Sequence, residues 1–389
     1  MKIAMAQISP STGDLFGNTE KICNAIRSAK RKGCDLVVIP ETAITGYMCC
    51  DLLEIDNFIE TNRALLNDRI IPECNNIAAV VGFVDCSGKK SPVERLYNTA
   101  AVIENRRIVS KANKRNLCRY RYYDETRYFS SGESTTATTL KIAGVERKVG
   151  ILICEDLWDR HYPASPYREA ADAGAEIIII INASPFETGK WNERMALIRE
   201  HQAYKPLPVI YANTTAIGDN LKDLILFDGR SMVVDGDGNL ADCAPLFDED
   251  ICIVELDRNL KAKQSILPKW SEEEELYSSL TFALKNYCRE TGFSQVLLGI
   301  SGGIDSALTS VLASDAIGKE NVLGITLPSE YSSEETRDLS ARLCKNIGIE
   351  LKEIPIEQLH QKVVNLLEHF HRFPDGVTDE NIQARLRGL

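Results

Sequence analysis

Residues 177–181 are five isoleucines in succession. A short β-branched run with no polar face reads as a strand buried on both sides. It delivers Asn182, Ala183 and Ser184 at its end. Val149 to Ile153 is a second run of the same kind, and Leu36 to Ile39 a third. Buried strands need a layer on each face. Here they alternate with helical stretches and hairpin turns, so the expected class is a mixed α/β layered domain. At 389 residues, the chain is long enough for more than one domain. Hydrophobic residues at 44% and charged residues at 26% are ordinary for a globular protein.

Each of these strands ends in a chemically useful residue. Cys154 follows Ile153 directly, and Glu41 follows Leu36 to Ile39 by way of Pro40. Lys111 and Lys114 both follow the strand-like stretch Arg107 to Ser110. A side chain at the end of a buried strand is held rigidly and can face a cleft. A thiol, a carboxylate and an amine are the parts needed to hydrolyse an amide. The carboxylate takes the thiol proton, the thiolate attacks the carbonyl carbon, and the amine stabilises the oxyanion. The bland readings are that Cys154 is one packing thiol among 12, and that Glu41 is a surface acid or a helix-cap partner.

Further elements are expected as strands at Lys2 to Ile8, 78–84, 99–103, 207–213, 230–234 and 251–256. Helices are expected over Asn18 to Lys32, ended by Gly33, over Leu52 to Leu66 and over Glu187 to Tyr204. Residues 235–239, Asp-Gly-Asp-Gly-Asn, read as a hairpin turn. Residues 115–137 are polar and irregular, as pocket walls often are.

Pro40-Glu41, Lys114 and Cys154-Glu155-Asp156-Leu157-Trp158 resemble the Glu-Lys-Cys triad of the nitrilase superfamily. The variant is similar to the glutaminase domain of the glutamine-dependent NAD synthetases. The opening stretch Ala6 to Asn18, the segment Tyr123 to Phe129 and the loop Asn182 to Lys190 resemble that family as well. Spacing to Leu117 and Tyr120 selects Lys114 over Lys111. The resemblance implies an α-β-β-α sandwich with the triad at one end of its sheets. It also implies Tyr120, Glu125, Ser184 and Lys190 as glutamine-binding residues. Glu125 has two readings: a pocket carboxylate that orients Lys114 or substrate, or an ion-pair partner of Arg121 or Arg127. Glu155 and Asp156 are expected to fix the turn at Cys154. The chain departs from the family at Cys118-Arg119 and at Ser131, near the expected pocket mouth.

Residues 1–257 are therefore expected to form the glutaminase domain and 258–270 a linker. Residues 271–389 would be a second domain, opened by the capping pattern Ser271 to Glu274. In it, the stretch from Gln295 reads as a buried strand, a turn and then a helix. The turn is Gly-rich, Ser301-Gly302-Gly303-Ile304-Asp305-Ser306. Glycines let main-chain N–H groups approach a phosphate, and a helix N-terminus adds a favourable dipole. There is no Gly-Lys-Ser/Thr, so this is not a Walker loop. The turn resembles the PP-loop of ATP pyrophosphatases. That implies an adenine nucleotide α-hydrolase-like parallel sheet, with ATP bound by Gly299 and residues 301–306, and Asp305 touching Mg2+. Leu327 to Ser333 and Asp379 to Arg387 resemble further segments of that family. Its members continue past Leu389, so a C-terminally incomplete domain is expected.

The implied activity is synthesis of NAD from deamido-NAD, with ATP consumed and glutamine as nitrogen donor. Two other readings stand beside it: a free-standing amidase with a decayed ATP domain, and a nucleotide-binding regulatory protein on an inert scaffold. A net charge of −11 argues against a nucleic-acid partner. No apolar stretch approaches the ~20 residues of a membrane span. A cytoplasmic location with reduced cysteines is expected, since the 12 cysteines form no Cys-x-x-Cys pair. No cysteine–histidine spacing suggests zinc, and no haem is expected. A homo-oligomer is expected.

Overall fold

The computed structural model describes residues 1–86, 96–121, 123–220, 222–262, 270–329, 333–368 and 377–388. It divides into two compact units, Met1–Leu276 and Tyr277–Leu389.

In the first unit, fourteen strands lie among the described residues. They are β1 Lys2–Gln7, β2 Leu36–Val38, β3 Ala78–Cys86, β4 Leu96–Glu104, β5 Arg107–Asn113, β6 Ala137–Ile142 and β7 Val145–Ile153. Then come β8 Ile177–Asn182, β9 Val209–Asn213, β10 Thr215–Asp219, β11 Leu224–Asp228, β12 Met232–Val234, β13 Leu240–Cys243 and β14 Asp250–Glu255. One six-stranded sheet has the order β14-β1-β2-β3-β4-β5, the other β13-β12-β9-β8-β7-β6, and β10-β11 is a separate hairpin. The triads β1-β2-β3 and β7-β8-β9 are parallel.

The isoleucine run shows why the sheets stack. Ile177, Ile179 and Ile181 join Ile3, Met5, Val38 and Val80 in a core between the two sheets. Ile178 and Ile180 point the other way, onto Tyr167, Leu197 and Ile198 of helices Pro166–Asp172 and Lys190–Tyr204. Behind the first sheet, Ala4, Val37 and Val81 meet Ile22 and Ile26 of helix Leu15–Arg31. Four layers follow from the two-residue period of the strands: helix, sheet, sheet, helix.

Several local readings shift. The expected helix over 52–66 is a 3₁₀ turn, Cys50–Glu54, then an α-helix, Asp56–Leu65, running into a π turn, Leu66–Ile70. Extended backbone at Ile55 separates the first two. The helix expected from Glu187 starts at Lys190, after a left-handed Gly189. Strand β6 and the β10-β11 hairpin lie where no strand was expected.

In the second unit, β15 Val296–Gly299, β16 Val322–Thr326 and β17 Glu350–Glu353 form a parallel sheet in that order. Helices Ile304–Ile317 and Glu334–Ile347 connect them. Ile300, Ala313, Val322, Cys344 and Ile349 form its core. The division between the units falls within helix Glu272–Thr291, later than the expected linker, of which residues 263–269 lie outside the described residues. No described helix is long and apolar enough to cross a membrane.

Candidate active site

The carboxyl ends of the parallel strands gather the polar groups. After β2, the chain turns sharply at Glu41 and Thr42, whose φ is +43°. Gly82 on β3 makes that turn feasible: a Cβ there would stand 2.1 Å from the Pro40 carbonyl oxygen and 2.7 Å from the Glu41 Cα. After β7, Cys154 has φ +45° and opens a one-turn 3₁₀ helix, Cys154–Leu157. Left-handed backbone at a non-glycine residue costs of the order of 1–3 kcal/mol and needs support from its surroundings. Asp156 supplies it. Its Oδ2 accepts the Ile153 N–H at 3.0 Å, and its Oδ1 accepts the N–H groups of Arg115 and Asn116 at 2.9 and 2.8 Å. One carboxylate therefore ties the cysteine turn to the backbone just after Lys114. Burial pushes Asp156 up to about 7, against these three donors.

Ile153 pairs with Ile181 in the β7-β8 register, which sets Cys154 beside Asn182 and Ala183. The Ala183 N–H donates to Glu41 Oε2 at 2.7 Å. Glu41 Oε1 accepts from Lys114 Nζ at 2.8 Å and from Asn98 Nδ2 at 2.7 Å. Lys114 Nζ also donates to Glu125 Oε1 at 2.8 Å. Tyr47 donates its hydroxyl to that same oxygen at 2.9 Å, and the Cys118 N–H donates to Glu125 Oε2 at 2.8 Å. Lys114 is fully buried. Lys111, by contrast, reaches Asp85 at 2.7 Å on a half-exposed edge. Arg121 pairs with Glu187, and Arg127 with Asp51 and Glu54, so neither holds Glu125.

Burial raises Glu41; the Lys114 charge opposes this and Glu125 adds to it. Burial alone would depress the Lys114 ammonium, but Glu125 and Glu41 hold it well above the ordinary lysine value. The Cys154 thiol is also raised, by burial and then by Glu41, while Lys114 pulls it down. At rest the thiol is protonated. A thiolate forms only if a neighbour accepts its proton, and Glu41, lifted by burial, is suited to do so. An ammonium has three donors. Glu41 and Glu125 take two of those of Lys114, which leaves one for a developing oxyanion.

Ser184 follows β8 and is buried. Its N–H donates to Asn213, and its hydroxyl accepts from Arg194 at 3.0 Å. Arg194 is fully buried in a two-pronged pair with Asp228, at 2.8 and 2.9 Å. Lys190 Nζ lies 4.2 Å from the centre of the Trp158 ring, with Glu187 and Glu193 at 3.5 and 3.4 Å. Tyr120 is 46% exposed and donates to Glu155, which also accepts from Tyr162. A cavity of about 1160 Å³ opens here, lined by Tyr120, Glu155, Trp158 and Tyr162 among others. A second, of about 460 Å³, is lined by Tyr47, Glu125 and Tyr123 among others. Asn98, Asn213 and the Arg194–Asp228 pair were not singled out from sequence. The only sign of Asn98 is a polar pair, Asn98-Thr99, inside an apolar strand.

In the second unit, the turn after β15 is tied by its own serines. Gly303 N–H donates to Ser301 Oγ at 3.2 Å, and Ser306 Oγ donates to the Gly303 carbonyl at 3.0 Å. Gly302 has φ +81°, and a Cβ on it would stand 2.6 Å from the Thr336 carbonyl oxygen. The turn lies at the carboxyl end of a parallel sheet, where such sheets bind ligands. Asp305 is exposed in the first turn of the following helix. Ser329 contacts Gln383 and Arg387 of helix Val377–Arg387, while residues 330–332 of the same sequence segment lie outside the described residues. No group of three or more His, Cys, Asp or Glu that could hold a metal occurs among the described residues.

The carbon-nitrogen hydrolase family matches residues 2–263, and the NAD synthase family matches 276–389. The chain is 34% identical to the glutamine-dependent NAD(+) synthetase of Synechocystis sp., covering 99% of this chain and 70% of that protein. It is also 34% identical to the corresponding protein of Xylella fastidiosa, over 100% of this chain and 70% of that one. Among solved structures, the glutamine-dependent NAD+ synthetase of Acinetobacter baumannii, in complex with ADP, superposes with a TM-score of 0.90 at 32% identity. That match covers 100% of this chain and 71% of the other. An amidase from Nesterenkonia sp. shares the fold of the first unit, with a TM-score of 0.54 at 22% identity over 66% of this chain and 90% of that one. With two family matches in tandem and relatives of this identity along its whole length, the chain belongs to the glutamine-dependent NAD(+) synthetases.

Proposed function

We propose that the first unit hydrolyses glutamine and that the second uses the ammonia to amidate deamido-NAD, with Cys154, Glu41 and Lys114 as the groups that cut the amide. The observation that carries the reading is a buried ammonium and carboxylate, 2.8 Å apart, beside a buried thiol on a strained turn.

Glu41 accepts the Sγ proton as sulfur attacks the side-chain amide carbon. The oxyanion that forms takes the free N–H of Lys114. As the C–N bond breaks, Glu41 returns the proton to nitrogen and ammonia leaves, with the glutamyl group held as a thioester on Cys154. Glu41 then takes a proton from water, hydroxide adds to the thioester carbon, and the thiol leaves as glutamate forms. Ser184 and Lys190 bind the α-amino and α-carboxylate ends of glutamine, and Tyr120 contributes to the same pocket. Glu125 orients Lys114.

In the second unit, the Ser301–Ser306 turn cradles ATP phosphates, with Gly299 behind it. The nicotinate carboxylate of deamido-NAD attacks the α-phosphorus and displaces pyrophosphate, and ammonia then displaces AMP from the acyl-adenylate. The donor set fits magnesium, which takes one or two carboxylates and completes its shell with phosphate oxygens and waters. Asp305 would hold it, and the ion would spread phosphate charge. The neighbour solved with ADP supports a nucleotide in this family.

The test is Cys154→Ala. Glutamate release should vanish and labelled glutamine should no longer stay on the protein, while NAD formation with ammonium supplied is unchanged relative to the parent chain. Near-native glutaminase activity in Cys154→Ala would refute the assignment.

A further inference from the structure

Glu41 is held by three donors, distributed unevenly. Lys114 Nζ and Asn98 Nδ2 both reach Oε1, at 2.8 and 2.7 Å, and the Ala183 N–H alone reaches Oε2 at 2.7 Å. A carboxylate offers about four lone-pair sites, two on each oxygen. Oε1 is therefore filled and one site stays open, on Oε2. We infer that Asn98 is a positioning residue: it closes Oε1 to protons, so that the Cys154 proton must land on Oε2, and it keeps Glu41 available as the base.

The placement of Asn98 supports this. It lies on β4 opposite Val84 of β3 and is fully buried. Its own carbonyl oxygen accepts the Lys114 backbone N–H at 2.9 Å. One residue therefore holds the carboxylate through its side chain and the lysine through its main chain. Its Oδ1 is buried with no hydrogen-bond partner. Leaving a buried amide oxygen unpaired is unfavourable, and the amide keeps this orientation because the reverse would set Oδ1 against a carboxylate oxygen. The amide is thus oriented by Glu41 alone. Protonation at Oε2 leaves Oε1 an acceptor of the same two donors, so the arrangement serves both states of the base without rearrangement. The charged and titratable groups around Glu41 are Lys114 after β5, Glu125 from helix Glu125–Tyr128, Cys154 from the 3₁₀ turn and Tyr47 from its own loop. Asn98 does not titrate, and its N–H favours the ionised carboxylate.

The inference rests on Glu41 being the base, so the experiment carries Glu41→Gln as a control. The readouts are kcat and KM for glutamate release against pH, with thermal unfolding of each variant. Asn98→Leu removes the donor and the orphan oxygen together. Its acid limb in kcat/KM should move up by about one pH unit, and kcat should fall roughly 10- to 100-fold. KM and melting temperature should barely change. Asn98→Asp, nearly isosteric, sets a second carboxyl against Glu41, and its acid limb should move up further. A Glu41→Gln variant that keeps activity would refute the base assignment itself. With Glu41→Gln inactive, an unmoved acid limb in Asn98→Leu or Asn98→Asp overturns the Asn98 inference alone. So does a rate loss in Asn98→Leu that merely tracks a lower melting temperature. If Asn98→Leu does not fold, Asn98→Asp decides by the same criterion.

Discussion

Replacing Lys114 by methionine tests the electrostatic heart of the first unit. In the native chain, Glu41 Oε1 and Glu125 Oε1 each lie 2.8 Å from the same buried nitrogen. The two oxygens can therefore be no more than about 5.6 Å apart; without the ammonium, full charges at that spacing repel by about 3 kcal/mol at an effective dielectric constant near 20. That corresponds to roughly two pK units. Breaking a buried ion pair costs about 3–5 kcal/mol in general. Lys114→Met should thus be destabilised by about that much at pH 8, besides losing activity. The loss should shrink on acidification. A carboxyl whose folded-state pKa is raised above its unfolded value contributes stability below the unfolded value, and that contribution is lost as pH rises through the folded one. The double variant Lys114→Met/Glu125→Gln removes one of the stranded carboxyls. It should regain about 2–3 kcal/mol at pH 8, by the same Coulomb estimate, and little at pH 5. The assay is urea unfolding at both pH values, followed by the fluorescence of Trp158 and Trp191. Single and double variants with equal midpoints at pH 8 would refute the reasoning, as would a pH-independent penalty in the single variant.

Four further outcomes follow from named contacts. Gly82→Ala should drive a methyl group into the Pro40–Glu41 backbone, so glutaminase kcat should drop at least tenfold while the fold, read by circular dichroism, persists. Arg194→Met strands Asp228 and frees Ser184; stability should fall by about 3–5 kcal/mol, and KM for glutamine should rise in whatever fraction folds. Asp156, raised to about 7 by burial, makes the protein lose stability as pH climbs from 4 toward 7; Asp156→Asn, measured by thermal unfolding across that window, should flatten this slope. Gly302→Ala places a Cβ against the Thr336 carbonyl at a left-handed position, so isothermal titration should show weaker ATP binding while glutamate release is unaffected.

The strands were legible because their pattern is local. Five isoleucines at 177–181 cannot sit in a half-exposed element, and they are the middle of a sandwich, three facing one core and two the other. Cys154 and Glu41 each come just after a buried strand and Lys114 directly after the more exposed β5, and a strand end fixes a side chain in space, which is why these three were legible. The shape of the turns was not. Left-handed backbone at Thr42 and Cys154 depends on contacts far off in sequence: Gly82 leaves room for the first turn, and the N–H groups of Arg115 and Asn116 fix the Asp156 carboxylate that ties down the second. Strands β6 and β10 were missed because their residues mix polar and apolar types without a clean two-residue alternation, whereas β11, Leu-Ile-Leu-Phe-Asp, is a short apolar run that was passed over.

The partners of the buried charges were least legible, for a physical reason. A charge survives burial only with donors or counter-charges around it, and a sequence displays the charge without its surroundings. Asn98 is 57 residues from Glu41, and Asp228 is 34 from Arg194. Glu125 shows the difficulty in one residue. With Arg121 and Arg127 four and two positions away, local spacing offered ion pairs that the fold does not use. Both arginines instead reach acids at the surface. There the pairing is worth little, whereas Glu125 beside buried Lys114 offsets the larger cost of an isolated buried ammonium. Partner choice at this site thus follows the cost of burial rather than distance along the chain. The donor Asn98 gives to Glu41 is of the same kind: invisible in the motif, and one of three that meet the carboxylate once it has been taken out of water.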